Sequence, residues 1–105
     1  VSMSFGVMGG QYQSAGHARF VGNTVDFGMD PQGAIDAPRC FAEGREIKVE
    51  KGYSDAVRQA LADKGHTVTV PDTGIGGAQA IRIDHALGVL EGGSDPRKDG
   101  CALGY

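Results

Sequence analysis

No run of basic residues occurs in this chain. Its 10 Lys and Arg are scattered among 13 Asp and Glu, for a formal net charge of -3, so the broad positive footprint of a nucleic-acid binder is missing and no such partner is expected. Cysteine is scarce. Cys40 and Cys101 are the 2 present, far apart and outside any CxxC or Cys/His spacing, which argues against a zinc site and leaves a disulfide unsupported. Both read as small buried or half-buried thiols. No metal and no other cofactor is expected. Long apolar runs are absent too, so neither a secretory leader nor a membrane span is legible. Any targeting signal would lie upstream, which leaves the compartment open between cytoplasm and periplasm. No internal repeat, heptad or low-complexity tract appears. The 105 residues, 40% hydrophobic, suffice for one small domain with one core and not for two. No initiating Met precedes Val1, and Val1 to Phe5 opens inside a strand-like segment rather than in a polar lead-in, so the expectation is a fragment or processed subunit. A native domain whose first strand starts at residue 1 is the alternative.

What the chain has is glycine, 18 residues of it, and two glycine-rich stretches frame it, Gly6 to His17 and Glu91 to Tyr105. In the first, the apolar run Val1 to Val7 leads into Gly9-Gly10 and then into a helix-like segment. Ala15, Ala18, Val21 and Val25, with Phe20 alongside, recur at steps of three and four and predict a helix with that face buried. Gly28 supplies a stop. Asp30-Pro31 reads as cap and first position of a short helix through about Asp36, ended by Ala37-Pro38. Glu46 to Glu50 alternates as a half-buried strand. Ser54 caps a helix carrying Val57, Ala60 and Leu61, closed by Gly65. His66 to Val70 alternates as a strand that stops at Pro71. Ala78 to Ile83 and Ala86 to Leu90 form a hairpin candidate about Asp84-His85. The order implies an α+β fold, mostly antiparallel sheet against helices, rather than βαβ repeats.

The chemistry on offer is partial. A hydrolytic site needs a nucleophile, a base and an oxyanion stabiliser around one carbonyl. Gly9 and Gly10 meet the third need: consecutive glycines permit positive φ, and at a strand-to-helix junction their N–H groups are available to an anion. An ordinary structural turn is the competing reading. Ser4, Ser14, Ser54 and Ser94 lie outside any Gly-x-Ser-x-Gly elbow and read as structural. His17, His66 and His85 read as surface or capping residues, with His17 of most interest because it is near Gly9-Gly10. Asp26, Asp30 and Asp36 read as caps or solvent-exposed carboxylates. Asp95-Pro96 initiates a turn. Arg97 suits either a carboxylate substrate or an ion pair with an internal Asp, the latter being the favoured use.

These motifs together resemble a known family. Gly6-Val-Met-Gly-Gly-Gln-Tyr-Gln13 with Gly16-His17, then Asn23, Asp26 to Asp30, Gln32, Ile35 to Arg39, and Gly92 to Arg97 through Gly104-Tyr105, resemble in order the C-terminal part of the small, catalytic subunit of the γ-glutamyltranspeptidase family. The resemblance covers nearly the whole chain. It implies that residues 1–105 are a single incomplete domain, part of an αββα N-terminal-nucleophile hydrolase sandwich. In that family a precursor cleaves itself, and the new N-terminal threonine attacks a γ-glutamyl amide to give an acyl-enzyme that passes to water or an amine. The resemblance places Gly9 and Gly10 at the family's oxyanion-hole pair. Thr24, Thr67, Thr69 and Thr73 are all internal, so the nucleophile is not in this chain and the piece is expected to be inactive alone. Val7-Met8 and Gln11 to Gln13 differ from the runs around the Gly-Gly pair of the well-studied transpeptidases, as in a divergent branch.

The leading expectation is therefore part of a self-processing γ-glutamyl amide hydrolase or transferase acting on glutathione-like substrates. Its partners are the rest of the precursor or the large subunit and a small γ-glutamyl substrate. An acylase of the same fold acting on glutaryl-like amides is one alternative. A noncatalytic binding or assembly module is the other. A severed sandwich leaves sheet edges and an apolar face without partners, so the isolated piece is expected to self-associate.

Overall fold

The computed structural model describes all residues from Val1 to Tyr105. Two compact units are present, one of Val1–Asp36 with Gly76–Tyr105 and one of Ala37–Ile75. The first unit is built on an antiparallel sheet. Strand β1 (Met3–Met8) is followed by a single 3-10 turn (Gly10–Tyr12), helix α1 (Gln13–Val25) and helix α2 (Pro31–Asp36). After the second unit, with its strands β2 (Cys40–Glu43), β3 (Glu46–Val49) and β4 (Thr67–Thr69) and helix α3 (Asp55–Asp63), the chain returns as β5 (Gly77–Asp84) and β6 (Val89–Ser94), and a second 3-10 turn (Pro96–Lys98) leads into the tail.

β5 is central, with β1 and β6 antiparallel on either side. The pairings of Val7 with Ala78, and of Ala80 with both Phe5 and Gly93, put these residues on one face. Of these, Val7, Ala78 and Ala80 are buried core residues. Small residues are used here because the helices come close. A Cβ on Gly93 would lie 3.0 Å from the Ile35 Cδ1 and 3.0 Å from the Pro31 carbonyl carbon, so α2 packs its backbone on the strand. The opposite face carries Met8, Ile81 and Leu90, all exposed. Side chains close part of both sheet edges. Gln32 accepts from the Ser94 N–H and donates to the Ser94 carbonyl, each at 3.0 Å, mimicking a strand neighbour on β6. The Val7 N–H on β1 donates to the His17 Nε2 at 3.3 Å. Such capping removes unpaired ladder groups from an edge.

Helix α1 turns a different face inward from the one its apolar periodicity predicts. Gly16, Phe20 and Asn23 are buried, whereas Ala15, Ala18, Val21 and Val25 are exposed. Close approach decides the matter: a Cβ on Gly16 would sit 2.6 Å from Val7 Cγ1, so the helix meets β1 at a residue with no side chain. Phe20 stacks tilted on Phe5, centroids 4.7 Å apart, and the Asn23 amide donates to the Ala34 carbonyl, tying α1 to α2. The α2 cap is as expected, with the Gly33 N–H donating to Asp30 Oδ1 at 2.6 Å. A second correction concerns Gly92 to Ser94. These turn-forming residues belong to β6, which starts at Val89, so the hairpin turn lies later than Asp84-His85 alone.

The second unit holds β2 (Cys40–Glu43), β3 (Glu46–Val49), α3 (Asp55–Asp63) and β4 (Thr67–Thr69). β2 and β3 form a hairpin, and β4 adds parallel to β3. β2 is an addition to the predicted elements. Ser54 caps α3 by accepting from the Val57 N–H. At the heart of the unit, the buried Glu50 takes the Arg39 N–H on one carboxylate oxygen at 2.8 Å and the Ile75 N–H on the other at 2.6 Å. The Arg39 guanidinium in turn donates to the Ile75 carbonyl at 2.8 Å. A carboxylate that accepts several N–H bonds is the compensated way to bury a charge. Both cysteines are free thiols, Cys40 half-buried and Cys101 exposed, so the reading of Cys101 as a covered thiol does not hold.

Candidate functional site at the Gly9–Gly10 turn

The ladder between β1 and β5 ends at Met8 opposite Gly77. The first helical hydrogen bond runs from the Tyr12 N–H to the Gly9 carbonyl at 3.1 Å, and the next from the Gln13 N–H to the Gly10 carbonyl. The N–H groups of Gly9, Gly10 and Gln11 therefore precede the first acceptor that the helical turn provides, the usual position of orphan donors at a helix start. Gly9 has φ 145° and Gly10 φ 59°. Two successive positive φ values are the geometry that glycine allows and other residues resist. Both glycines are solvent-exposed. The turn thus presents consecutive backbone donors at an open surface, which is what stabilising a developing oxyanion requires.

A buried aromatic ring holds this turn, and the sequence reading missed it. Tyr12 is 3% exposed. Its ring lies against three glycines: a Cβ would come within 3.0 Å of it at Gly9, 2.8 Å at Gly16 and 2.9 Å at Gly76. Gly76 is further confined, since its Cβ would stand 2.5 Å from the Met8 carbonyl oxygen. The signal was present as glycines spaced about a tyrosine, but nothing local in sequence links residue 76 to residues 9 and 16.

The other candidate groups are placed elsewhere and are in structural use. Arg97 donates to Asp95 Oδ1 at 3.2 Å and to the Ile35 carbonyl at 2.8 Å, so it serves the internal ion pair. Asp95 is fully buried and also accepts from the Ala78 and Arg97 N–H groups. The Thr24 hydroxyl donates to the Phe20 and Val21 carbonyls, and the Thr69 hydroxyl to Glu46. His85 Nε2 lies 2.7 Å from the Val1 carbonyl oxygen. No three His, Cys, Asp or Glu side chains gather as a metal centre. No helix is long and apolar enough to cross a membrane.

The sequence profile of the family described as gamma-glutamyltranspeptidase matches residues 1–105. The chain belongs to the gamma-glutamyltranspeptidase family. It is 38% identical over 109 residues to the glutathione hydrolase-like YwrD proenzyme of Bacillus subtilis, a match covering 95% of this chain and 21% of that protein. Among solved structures, cephalosporin acylase from Bacillus halodurans superposes with a TM-score of 0.86 at 43% identity, over 96% of this chain and 20% of its own. The gamma-glutamyltranspeptidase of Pseudomonas nitroreducens, solved with L-DON, superposes with a TM-score of 0.84 at 26% identity, over 100% of this chain and 55% of its own. The chain thus spans about a fifth of the curated relative, a proenzyme. The expected fold class is the one observed: α+β, mainly antiparallel, as in the N-terminal-nucleophile gamma-glutamyltranspeptidases.

Proposed function

We propose that this chain is the C-terminal portion of the small subunit of a self-processing amide hydrolase or transferase, and that Gly9 and Gly10 supply its oxyanion hole. The observation that carries the reading is the pair of exposed, positive-φ glycines at the end of β1 in a chain of this family. In the proposed reaction, a nucleophilic N-terminal threonine outside these residues attacks the amide carbonyl. The developing oxyanion accepts from the Gly9 and Gly10 N–H groups, and the amine leaves to give an acyl-enzyme. Water or an acceptor amine then attacks the ester through the same hole. Donors already fixed in place need no reorganisation as charge develops, which makes such sites effective.

The substrate class favoured is a γ-glutamyl amide of the glutathione type, supported by the relative named a glutathione hydrolase-like proenzyme. A second reading, an acylase acting on glutaryl-like amides, is supported by the 43% identity to cephalosporin acylase. The full-length protein assayed on γ-glutamyl-p-nitroanilide and glutaryl-p-nitroanilide separates the two. Release from the first supports the leading reading and release from the second alone supports the acylase. Self-processing followed by release from neither overturns both substrate readings. The chain by itself is expected to be inactive and to self-associate through the face that exposes Met8, Ile81 and Leu90. Light scattering that shows a monomer at all concentrations refutes the self-association.

A further inference from the structure

The imidazole of His17 does something specific to the strand that feeds the turn. Val7 pairs with Ala78, but the Ala78 N–H is directed to Asp95 Oδ2, and the Val7 N–H is directed to His17 Nε2. Neither N–H joins the β1–β5 ladder, so this is a non-hydrogen-bonded pair and the Val7 N–H faces the open edge of β1. That edge position is two residues before Gly9. His17 reaches it because Gly16 lets α1 close on Val7, and the imidazole is further held edge-on against Phe5, centroids 5.7 Å apart. An N–H donor requires a lone pair on its acceptor. Nε2 must therefore be unprotonated, which puts the ring in its neutral form with the proton on Nδ1.

We propose that His17 is a positioning residue for the Gly9–Gly10 turn: its neutral imidazole fixes the Val7 amide, and through it the short link from β1 to the oxyanion donors. The proposal rests on the reading of Gly9 and Gly10 as those donors.

The test uses the full-length processed enzyme and whichever of the two nitroanilides it turns over. Three variants are compared: His17→Leu, which removes the acceptor; His17→Gln, whose amide oxygen can replace Nε2 as acceptor; and Gly9→Ala, which distorts the turn itself. His17→Leu should lower kcat about 10- to 100-fold, the scale of a small misplacement of catalytic groups, with KM within about twofold. It should also speed amide exchange in the peptide containing Val7. His17→Gln should restore both. Faster exchange at Val7 with unchanged kcat in His17→Leu overturns the proposal and leaves a plain edge cap. If His17→Leu fails to process, His17→Gln decides: Val7 exchange as slow as in the unmodified enzyme together with a kcat lowered about tenfold or more overturns the proposal, and recovery of both supports it. Full turnover by Gly9→Ala is a separate failure, that of the oxyanion reading.

Discussion

Replacing the two glycines of the turn one at a time should have unequal consequences, and the structure says which is the worse. At Gly9, φ is 145° and ψ 21°, a region closed to L-residues by sterics, costing about 1–3 kcal/mol where it is enforced. The added Cβ would also stand 3.0 Å from Tyr12 Cδ1 and 3.2 Å from Tyr12 Cβ. The ring cannot retreat, because Gly16 and Gly76 already pack against it. The backbone must move instead, carrying the Gly9 and Gly10 N–H groups with it. Loss of one oxyanion donor costs about 10²–10³-fold in rate, so Gly9→Ala should fall on that scale in kcat. Gly10 is different. Its φ of 59° is the left-handed region and nothing lies within 4 Å of its Cβ position. Alanine enters that region for about 1–2 kcal/mol, so Gly10→Ala should keep kcat within about tenfold while lowering the melting temperature by a few degrees. The assay is release of p-nitroaniline by the processed full-length enzyme, with thermal melts of each variant. Equal damage from both changes, or full activity in Gly9→Ala, refutes the reasoning.

Three further outcomes are expected. Asp95→Ala removes the carboxylate paired with the Arg97 guanidinium, itself 14% exposed beside a carboxylate at 0%, and removes the acceptor of the Ala78 N–H; denaturant unfolding should show a loss of about 3–5 kcal/mol, the scale of breaking a buried pair. Gly93→Ala drives a methyl into α2, at 3.0 Å from Ile35 Cδ1 and 3.1 Å from the Gln32 nitrogen, and should cost about 1–3 kcal/mol by overpacking in the same measurement. In the second unit, Glu50→Gln turns an NH2 group toward one of two backbone N–H donors, those of Arg39 and Ile75; about 1–3 kcal/mol should be lost, and an unchanged unfolding midpoint would count against Glu50 as the organiser of that unit.

Much of the element order was legible because its signals are local. Asp30 followed by Pro31 marks the start of α2, and Ser54 that of α3, since each cap satisfies an orphan N–H within three residues. The alternation of Glu46 to Val49 reports a half-buried strand directly. Two of the differences have a common physical origin in glycine. Hydrophobic periodicity finds the face of a helix with large apolar side chains, but α1 meets its strand at Gly16, where the absence of a side chain is what permits contact, so Val21 and Val25 stay exposed despite their spacing. Gly92-Gly93-Ser94 read as loop because glycine is common in turns, whereas Gly93 is in a strand to let the α2 backbone approach. β2 carried too short and irregular a pattern to stand out from the turn beside it.

The candidate site divides in the same way. That Gly9 and Gly10 end a strand and begin a helix follows from the order of residues along the chain, and the motif around them points to amide chemistry. What holds the turn in shape does not follow, because its parts are distant in sequence. Tyr12 needs Gly76, 64 positions later in the chain, to leave room for its ring beside Gly9 and Gly16. A larger residue at any one of the three would press on the same ring, so their effects should be coupled rather than additive. Combining Gly16→Ala with a smaller ring-free residue at position 12, as in Tyr12→Leu, relieves the 2.8 Å approach to Cε1 but leaves that to Val7 Cγ1 at 2.6 Å. The double variant should therefore recover only part of the stability lost by Gly16→Ala, and full recovery would mean that the β1–α1 contact at Val7 is not the tighter constraint.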